Sequence, residues 1–498
     1  MLTPTSVLLI DLLTAAGLPV PARRDLVIEK IIFDSRQSHP GVLFVAVPCT
    51  QARANCEHAI AGGAVAILAE PKLCENLAPS YPNVTFIAHP QPRYALSQLA
   101  AAYYPQQPTV NVAVTGTNGK SSVVSFIHQL WQRLGYAAAT MGTLGLDAGT
   151  RSGMMAALKM PSLTTPDALS VHQALHLFAS HGITHCAFEA SSHGLAQYRL
   201  HGVVLSAAGW TNLTQDHLDY HGSLKEYFNA KVKLIDEILL EHKPVVMNID
   251  TAYAEDLKVH IKARSQQCIT YGIEKPSFLE ARNIKLSPRD IQFALWVDGK
   301  SYGEKRLNMA GAFQVDNVLC ALGLALATGS QIEAILPYLP QLKSAAGRMA
   351  LAGATDQGAL AFVDYAHTPD ALQRALQSLR QHTDGKLWVV FGCGGDRDRE
   401  KRPRMGDIAA TFADHVVITD DNPRTEDPQA IRQQIHAQCQ QAEEIADRRQ
   451  AIAYALENMQ KGDVLLVAGK GHEQGQILAD QVLAFDDYQE IKKLLGNL

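Results

Sequence analysis

The chain has 498 residues, 47% hydrophobic and 19% charged, with a formal net charge of -5. That length exceeds what one hydrophobic core ordinarily organises, so several domains are expected. The balance excludes disordered and fibrous classes, and a mildly acidic chain offers no basic field to nucleic acid or an anionic membrane.

The opening M-L-T-P-T-S-V-L-L-I-D lacks a basic n-region, and Asp11 interrupts its apolar run, so no signal peptide is expected. No stretch reaches the ~20 apolar residues of a spanning helix, which predicts a cytoplasmic protein without membrane insertion. Residues 41–47 and 64–70 read as strands of a first, smaller domain. Pro90, Pro92, Pro105 and Pro108 bracket one helix-like segment and mark a boundary. Strand 109–114 opens a second domain, with further strand candidates at 184–189, 204–209 and 243–248. Residues 279–309 turn to period-two alternation, predicting antiparallel strands, and 313–328 reads as a helix. Pro337 and Pro340 mark a second break. Beyond it lie strand candidates at 361–365, 386–391, 415–420 and 463–468. Short β-branched runs alternating with amphipathic stretches predict an α/β protein with largely parallel sheets. The eight cysteines show no C-x-x-C pair and no zinc-like spacing, and read as reduced core residues.

The sharpest local signal is V-T-G-T-N-G-K-S-S at 114–122, between a strand and the helical stretch 121–134. Gly116 and Gly119 let backbone amides converge on phosphate oxygens. Lys120 can neutralise β- and γ-phosphates, and the Ser121 hydroxyl is placed to reach Mg²⁺. A plain glycine-rich turn is the competing reading, and the strand–loop–helix context favours nucleotide binding. A-F-E-A-S-S-H-G-L at 187–195 ends a buried strand, where Glu189 could complete a magnesium shell beside Ser121. T-N-L-T-Q-D-H-L-D-Y-H-G at 211–222 gathers Asp216, His217, Asp219 and His221. Each of these four, taken alone, reads more simply as a helix cap or a surface-loop residue.

F-G-C-G-G-D-R-D at 391–398, D-D-N-P-R-T at 420–425 and A-G-K-G-H-E at 468–473 each follow a strand. Polar loops at successive strand ends describe a ligand site. Asp421-Asn422-Pro423-Arg424 also suits a type I turn, and the two readings are compatible. Arg424 offers a planar fork for a ligand carboxylate.

These motifs, together with D-Y-A-H-T-P-D at 364–370, resemble in order and over nearly the whole chain the Mur ligases of peptidoglycan precursor synthesis. The resemblance implies three domains: UDP-binding 1–97, a central P-loop parallel-sheet ATPase domain 98–345, and a Rossmann-like amino-acid-binding domain 346–498. It implies an ATP-dependent ligase acting as a monomer on small molecules. That ligase would join meso-diaminopimelate to UDP-N-acetylmuramoyl-L-alanyl-D-glutamate (UDP-MurNAc-L-Ala-D-Glu) through an acyl phosphate. By the same resemblance Gly116, Thr117, Asn118, Gly119, Lys120, Ser121, Ser122, Asn317 and Arg348 would bind ATP. Ser121, Glu189, His217 and Lys231 would support Mg²⁺, with Lys231 carrying a CO₂-derived carbamate. Lys120, His217 and Lys231 would be the catalytic set. Phe33, Ser35, Thr50, Gln51, Ala52, Thr164, Thr165, Ser191, Gln197 and Arg199 would hold the UDP-muramyl dipeptide. Arg397, Asp421, Asn422, Pro423, Arg424, Gly469 and Glu473 would hold diaminopimelate, while Asp364 and His367 lie in the intervening motif. Lysine lacks the distal carboxylate and would strand Arg424 and Asn422, a discrimination worth on the order of 10⁴-fold. A folylpolyglutamate synthetase-like ligase, a P-loop ATPase that makes no bond, and a catalytically silent scaffold are the alternatives.

Overall fold

The computed structural model describes residues 6–21, 25–151, 153, 158, 160–161 and 163–496. The chain divides into two compact units, residues 1–270 with 323–330, and residues 271–322 with 331–498.

The first unit opens with a parallel sheet whose strands, Lys30–Ile32, Val42–Val45, Ala66–Ala69 and Thr85–Ala88, lie in chain order. Every residue of Val42–Val45 and Ala66–Ala69 is buried, because side chains alternate between two cores. Leu43, Val45 and Leu68 join Leu9, Leu99 and Tyr103 on one face. Val42, Phe44 and Ile67 join Cys56 and Leu77 on the other. A continuous apolar run is what a strand covered on both faces requires.

A larger parallel sheet follows, ordered Ala138–Gly142, His185–Glu189, Val110–Thr115, Ala207–Trp210, Pro244–Asn248. Its first strand in sequence, Val110–Thr115, sits between later strands on both sides. The order of connection therefore reverses at that strand, and the crevice at its carboxyl end is where such sheets bind ligands. The chain leaves it through Gly116–Gly119 into the helix Lys120–Arg133. The strand expected at 204–209 begins later, at Ala207.

In the second unit, Leu279–Leu286, Ile291–Val297 and Lys300–Leu307 form the antiparallel meander that the period-two pattern predicted. A six-stranded sheet is ordered Ala350–Ala354, Leu360–Asp364, Val464–Ala468, Leu387–Phe391, His415–Ile418, Glu443–Glu444. It is parallel except for its first strand. Leu387, Val389 and Phe391 enter one core and Trp388 and Val390 the other, the same two-sided burial as before. All eight cysteines are free; six are buried, whereas Cys49 and Cys268 are exposed. Those two depart from the core reading because one lies in a loop and the other at the exposed start of the strand Gln267–Gly272. Among the described residues no helix is long and apolar enough to cross a membrane.

Behind the six-stranded sheet, Arg448 and Asp487 form a two-bond ion pair, Nε to Oδ1 and Nη2 to Oδ2, both 2.7 Å. Neither side chain is exposed at all. Removing one partner leaves an uncompensated buried charge. Asp487→Ala is expected to lower the unfolding free energy by about 3–5 kcal/mol, read from urea denaturation. A loss of under about 1 kcal/mol would mean that water reaches the pair.

Candidate active site

The phosphate loop is shaped by two glycines and braced from a neighbouring strand. Gly116 has φ 141° and Gly119 φ 87°, backbone regions that side chains disfavour. A Cβ on Gly116 would also overlap the Thr211 hydroxyl. Thr117 N–H donates to Asn212 O (2.9 Å), Asn118 N–H to Asn212 Oδ1 (3.0 Å), and Thr214 N–H to the Thr117 hydroxyl (3.0 Å). The Thr211 hydroxyl donates to Asn118 O at 2.6 Å. Thr211, Asn212 and Thr214 were not singled out from sequence. Their only signal there was a Thr/Asn-rich run directly after a strand, and the sheet order makes that strand the neighbour of the loop's own. Gly119 caps the helix Lys120–Arg133, so the loop opens at the partly positive end of a helix.

Two lysine amines converge on one carbonyl. Lys120 Nζ donates to Gly116 O (2.9 Å) and Thr117 O (2.8 Å), and Lys231 Nζ donates to the same Gly116 O (2.8 Å). Lys231 is 1% exposed and its amine lies 4.5 Å over the Tyr227 ring. Burial, then the nearby Lys120 charge, hold its pKa well below the ordinary lysine value, with Asp216 opposing. A neutral amine is the nucleophilic form of lysine.

Glu189, 3% exposed, ends its strand beside the loop. Its carboxylate accepts from the Ser121 hydroxyl at 3.0 Å, from Thr143 N–H at 2.8 Å and from the Thr143 hydroxyl at 3.2 Å. A hydroxyl and a carboxylate at the mouth of a phosphate loop suit Mg²⁺, which takes few protein ligands and completes its octahedron with phosphate and water. Among the described residues no three His, Cys, Asp or Glu side chains converge as a cation cage, as that mode of binding requires none. His217, at φ 52° before the short helix Leu218–His221, sits among rings, with His193 at 4.9 Å and Tyr227 at 6.1 Å.

Residues assigned to the muramyl dipeptide fall into three groups. Thr165 bridges the Glu189 carbonyl (2.8 Å) and Ser191 N–H (2.9 Å), and the Thr164 and Thr143 hydroxyls pair at 3.1 Å. Ser191 caps the short helix Ser192–Ala196 through Gly194 N–H. Arg199 donates to Thr165 O (2.6 Å) and Gln197 Oε1 (2.8 Å), and lines with Gln197, Phe33, Arg93 and Asp167 a cavity of about 300 Å³. Ser35 pairs with His58 Nδ1 at 3.1 Å, while Thr50 and Gln51 are exposed where the helix Ala52–Ala61 begins. These last four residues are outside the lining of that cavity. Arg93, not singled out from sequence, reads there as an ordinary helix residue.

In the second unit the polar loops follow four parallel strands at their carboxyl ends. Asn422 Nδ2 donates to Glu473 Oε2 (2.9 Å), and Arg424, at φ 53°, donates from Nη1 to Gly395 O (2.8 Å). Asp421 and Pro423 are buried, Arg397 is exposed, and Gly469 at φ 114° faces the Asp421 carboxylate. Lys470 is fully buried among these residues, although the sequence singles out only Gly469 and Glu473 of its motif. A lysine between two glycines after an apolar strand was the available signal. The Arg348 guanidinium stacks 5.0 Å from the Tyr365 ring. Asp364, its pKa raised by burial against the pull of Arg348, accepts from Met349 N–H (2.7 Å) and Ala366 N–H (2.9 Å). His367 Nδ1 meets Tyr365 O at 2.8 Å, and buried Asn317 donates to Gln314 in the helix Phe313–Ala327.

A phosphate loop at the switch point of a parallel sheet, with a buried acid on its first helical hydroxyl, defines a nucleotide-binding α/β protein. Residues 114–325 match the Mur ligase middle domain, and residues 347–471 match the Mur ligase, glutamate ligase domain. The chain belongs to the Mur ligase family. The UDP-N-acetylmuramoyl-L-alanyl-D-glutamate–2,6-diaminopimelate ligase of Caulobacter vibrioides is 45% identical over 480 residues, covering 96% of this chain and 97% of that one. The ligase of the same name from Mesorhizobium japonicum is 43% identical, covering 97% and 98%. A solved structure of a protein of that name is 33% identical with a TM-score of 0.73, covering 98% and 99%. Folylpolyglutamate synthase of Mycobacterium tuberculosis, 17% identical with a TM-score of 0.59 over 76% of this chain and 92% of that one, shares the fold.

The depressed Lys231 pKa has a pH signature. The unfolded chain keeps that proton up to the ordinary value of 10.5 while the folded chain releases it earlier, so stability rises with pH through that window. Lys231→Met removes this dependence. In CO₂-free buffer its stability relative to wild type should be greater at about pH 7 than at about pH 10, measured by urea unfolding. A difference that stays constant with pH would mean that Lys231 is not depressed.

Proposed function

We propose that this chain is an ATP-dependent ligase that adds meso-diaminopimelate to UDP-MurNAc-L-Ala-D-Glu during peptidoglycan precursor synthesis. The observation that carries the reading is the loop cluster Asn422–Arg424 beside Glu473, an amide and a guanidinium set against an acid. Such a cluster offers a carboxylate clamp and an ammonium partner within one amino-acid pocket. The relatives named above, similar over nearly their whole length, support the same substrates.

The mechanism follows from charge. The D-glutamyl side-chain carboxylate attacks the γ-phosphorus of ATP, an acyl phosphate forms and ADP leaves. The amine of diaminopimelate then attacks the activated carbonyl, and the tetrahedral adduct collapses to an amide and inorganic phosphate. Both first-step reactants are anions, so neutralisation and alignment supply the rate rather than covalent catalysis. Lys120, with the amides at the N-terminus of its helix, turns from its own carbonyls towards the phosphates. Mg²⁺, held through Ser121 and Glu189, would supply further charge neutralisation. Lys231, its proton affinity lowered by burial, would as a free amine take up CO₂ and release one proton to give a carbamate, an anion that with His217 would support a second cation. Thr165, Gln197 and Arg199 hold the muramyl dipeptide, with Phe33, Ser35 and residues 50–52 on its nucleotide end. By the family pattern Asn317 and Arg348 would contact ATP, and three domains divided near residues 97 and 345 would each carry one substrate.

Phosphate release from ATP with UDP-MurNAc-L-Ala-D-Glu should require meso-diaminopimelate, with L-lysine poorer by on the order of 10⁴-fold in kcat/KM. Release independent of the muramyl dipeptide would instead indicate a nucleotide switch. Arg424→Lys loses the bidentate fork and should raise KM for diaminopimelate by about 10-fold or more, leaving KM for ATP unmoved. Lys120→Ala should lower kcat by at least about 10³-fold in a protein that melts as the wild type does. Near-normal turnover would remove Lys120 from the mechanism.

A further inference from the structure

Lys470 has a side chain with no exposure at all, on a segment that turns inward at Gly469 (φ 114°) and Gly471 (φ 55°). A buried ammonium is tolerated when its protons are taken up by fixed acceptors. Here Nζ donates to Asn422 Oδ1 at 2.9 Å and pairs with Asp421 Oδ1 at 3.5 Å and Glu473 Oε2 at 3.6 Å. Asn422 Oδ1 accepts a second bond, from Ile477 N–H at 2.9 Å. Both lone pairs of that oxygen are therefore engaged by donors. A flipped carboxamide would set its N–H groups against an ammonium and a backbone N–H, so the orientation is locked. Its Nδ2 is consequently turned to Glu473, 2.9 Å away.

We propose that Lys470 is a positioning residue that locks the Asn422 carboxamide with its donor face towards the amino-acid pocket, and thereby sets that pocket's selectivity for a carboxylate. The inference deepens the functional reading above and rests on it. An N–H face attracts a ligand carboxylate, whereas the carbonyl face would attract an ammonium and admit lysine. Lys470 itself touches no substrate and acts through Asn422.

The test is a double-mutant cycle in the full chain, read by phosphate release with ATP and UDP-MurNAc-L-Ala-D-Glu. Lys470→Met should raise KM for meso-diaminopimelate by about 10- to 100-fold, with KM for ATP within about twofold of wild type. Added to Asn422→Ala, it should change that KM by no more than about twofold, because the group it orients is already gone. Fully additive effects, an unchanged diaminopimelate KM, or an equal rise in every KM would overturn the proposal. Where Lys470→Met does not fold by circular dichroism, Lys470→Gln is read by the same cycle. Should the wild type itself ignore diaminopimelate, the functional reading fails, and the lock is tested in crystals of the ligand-free Lys470 variant. A rotated Asn422 carboxamide there supports the lock, and an unmoved one overturns it.

Discussion

Two amines that would ordinarily both be charged meet at the Gly116 carbonyl. Burial penalises the charge on the inner amine and the nearby Lys120 adds to that, so Lys231 holds its proton less tightly than an ordinary lysine. The consequence is a buried amine behind the loop whose hold on its proton is weakened. That arrangement depends on Gly116 having no side chain, since any Cβ there would collide with Thr211 and break the bracing from residues 211–214.

The bracing connects fold to chemistry. A loop whose amides must converge on phosphate cannot also bond to itself, so its outward polar groups need partners elsewhere. Asn212 supplies two, a carbonyl for Thr117 and a side-chain oxygen for Asn118. They come from the strand adjacent to Val110–Thr115, which is why the site forms only once the sheet has assembled. Glu189 arrives from the strand on the other side, so the acid, the loop and its brace are registered by three neighbouring strands. In the second unit the same logic recurs, with loops 391–398, 420–425 and 468–473 leaving adjacent parallel strands at their carboxyl ends.

Much of this was legible in the sequence. Runs such as V-L-F-V and A-I-L-A announced strands, and the period-two stretch at 279–309 announced antiparallel ones. G-T-N-G-K-S placed the loop to the residue, with the helix beginning one position earlier than expected. Residues whose importance lies in what they touch across the fold were not legible. Thr143 and Arg93 carry no local pattern, the local signals at Asn212 and Lys470 say nothing of what those residues touch, and nothing local marks Lys231 as almost wholly buried.

The sequence by itself determined the α/β class, the order of strands and helices, and the chemical types available at each strand end, because periodicity and glycine spacing are local properties. Tertiary structure decided which of those groups share an environment. It put Lys231 beside Lys120, Glu189 on Ser121, and Lys470 under Asn422, pairs separated by tens of residues in sequence and joined by sheet register. Burial and electrostatic coupling act through space, so the proton affinity of an amine and the orientation of an amide are fixed only when the strands have paired.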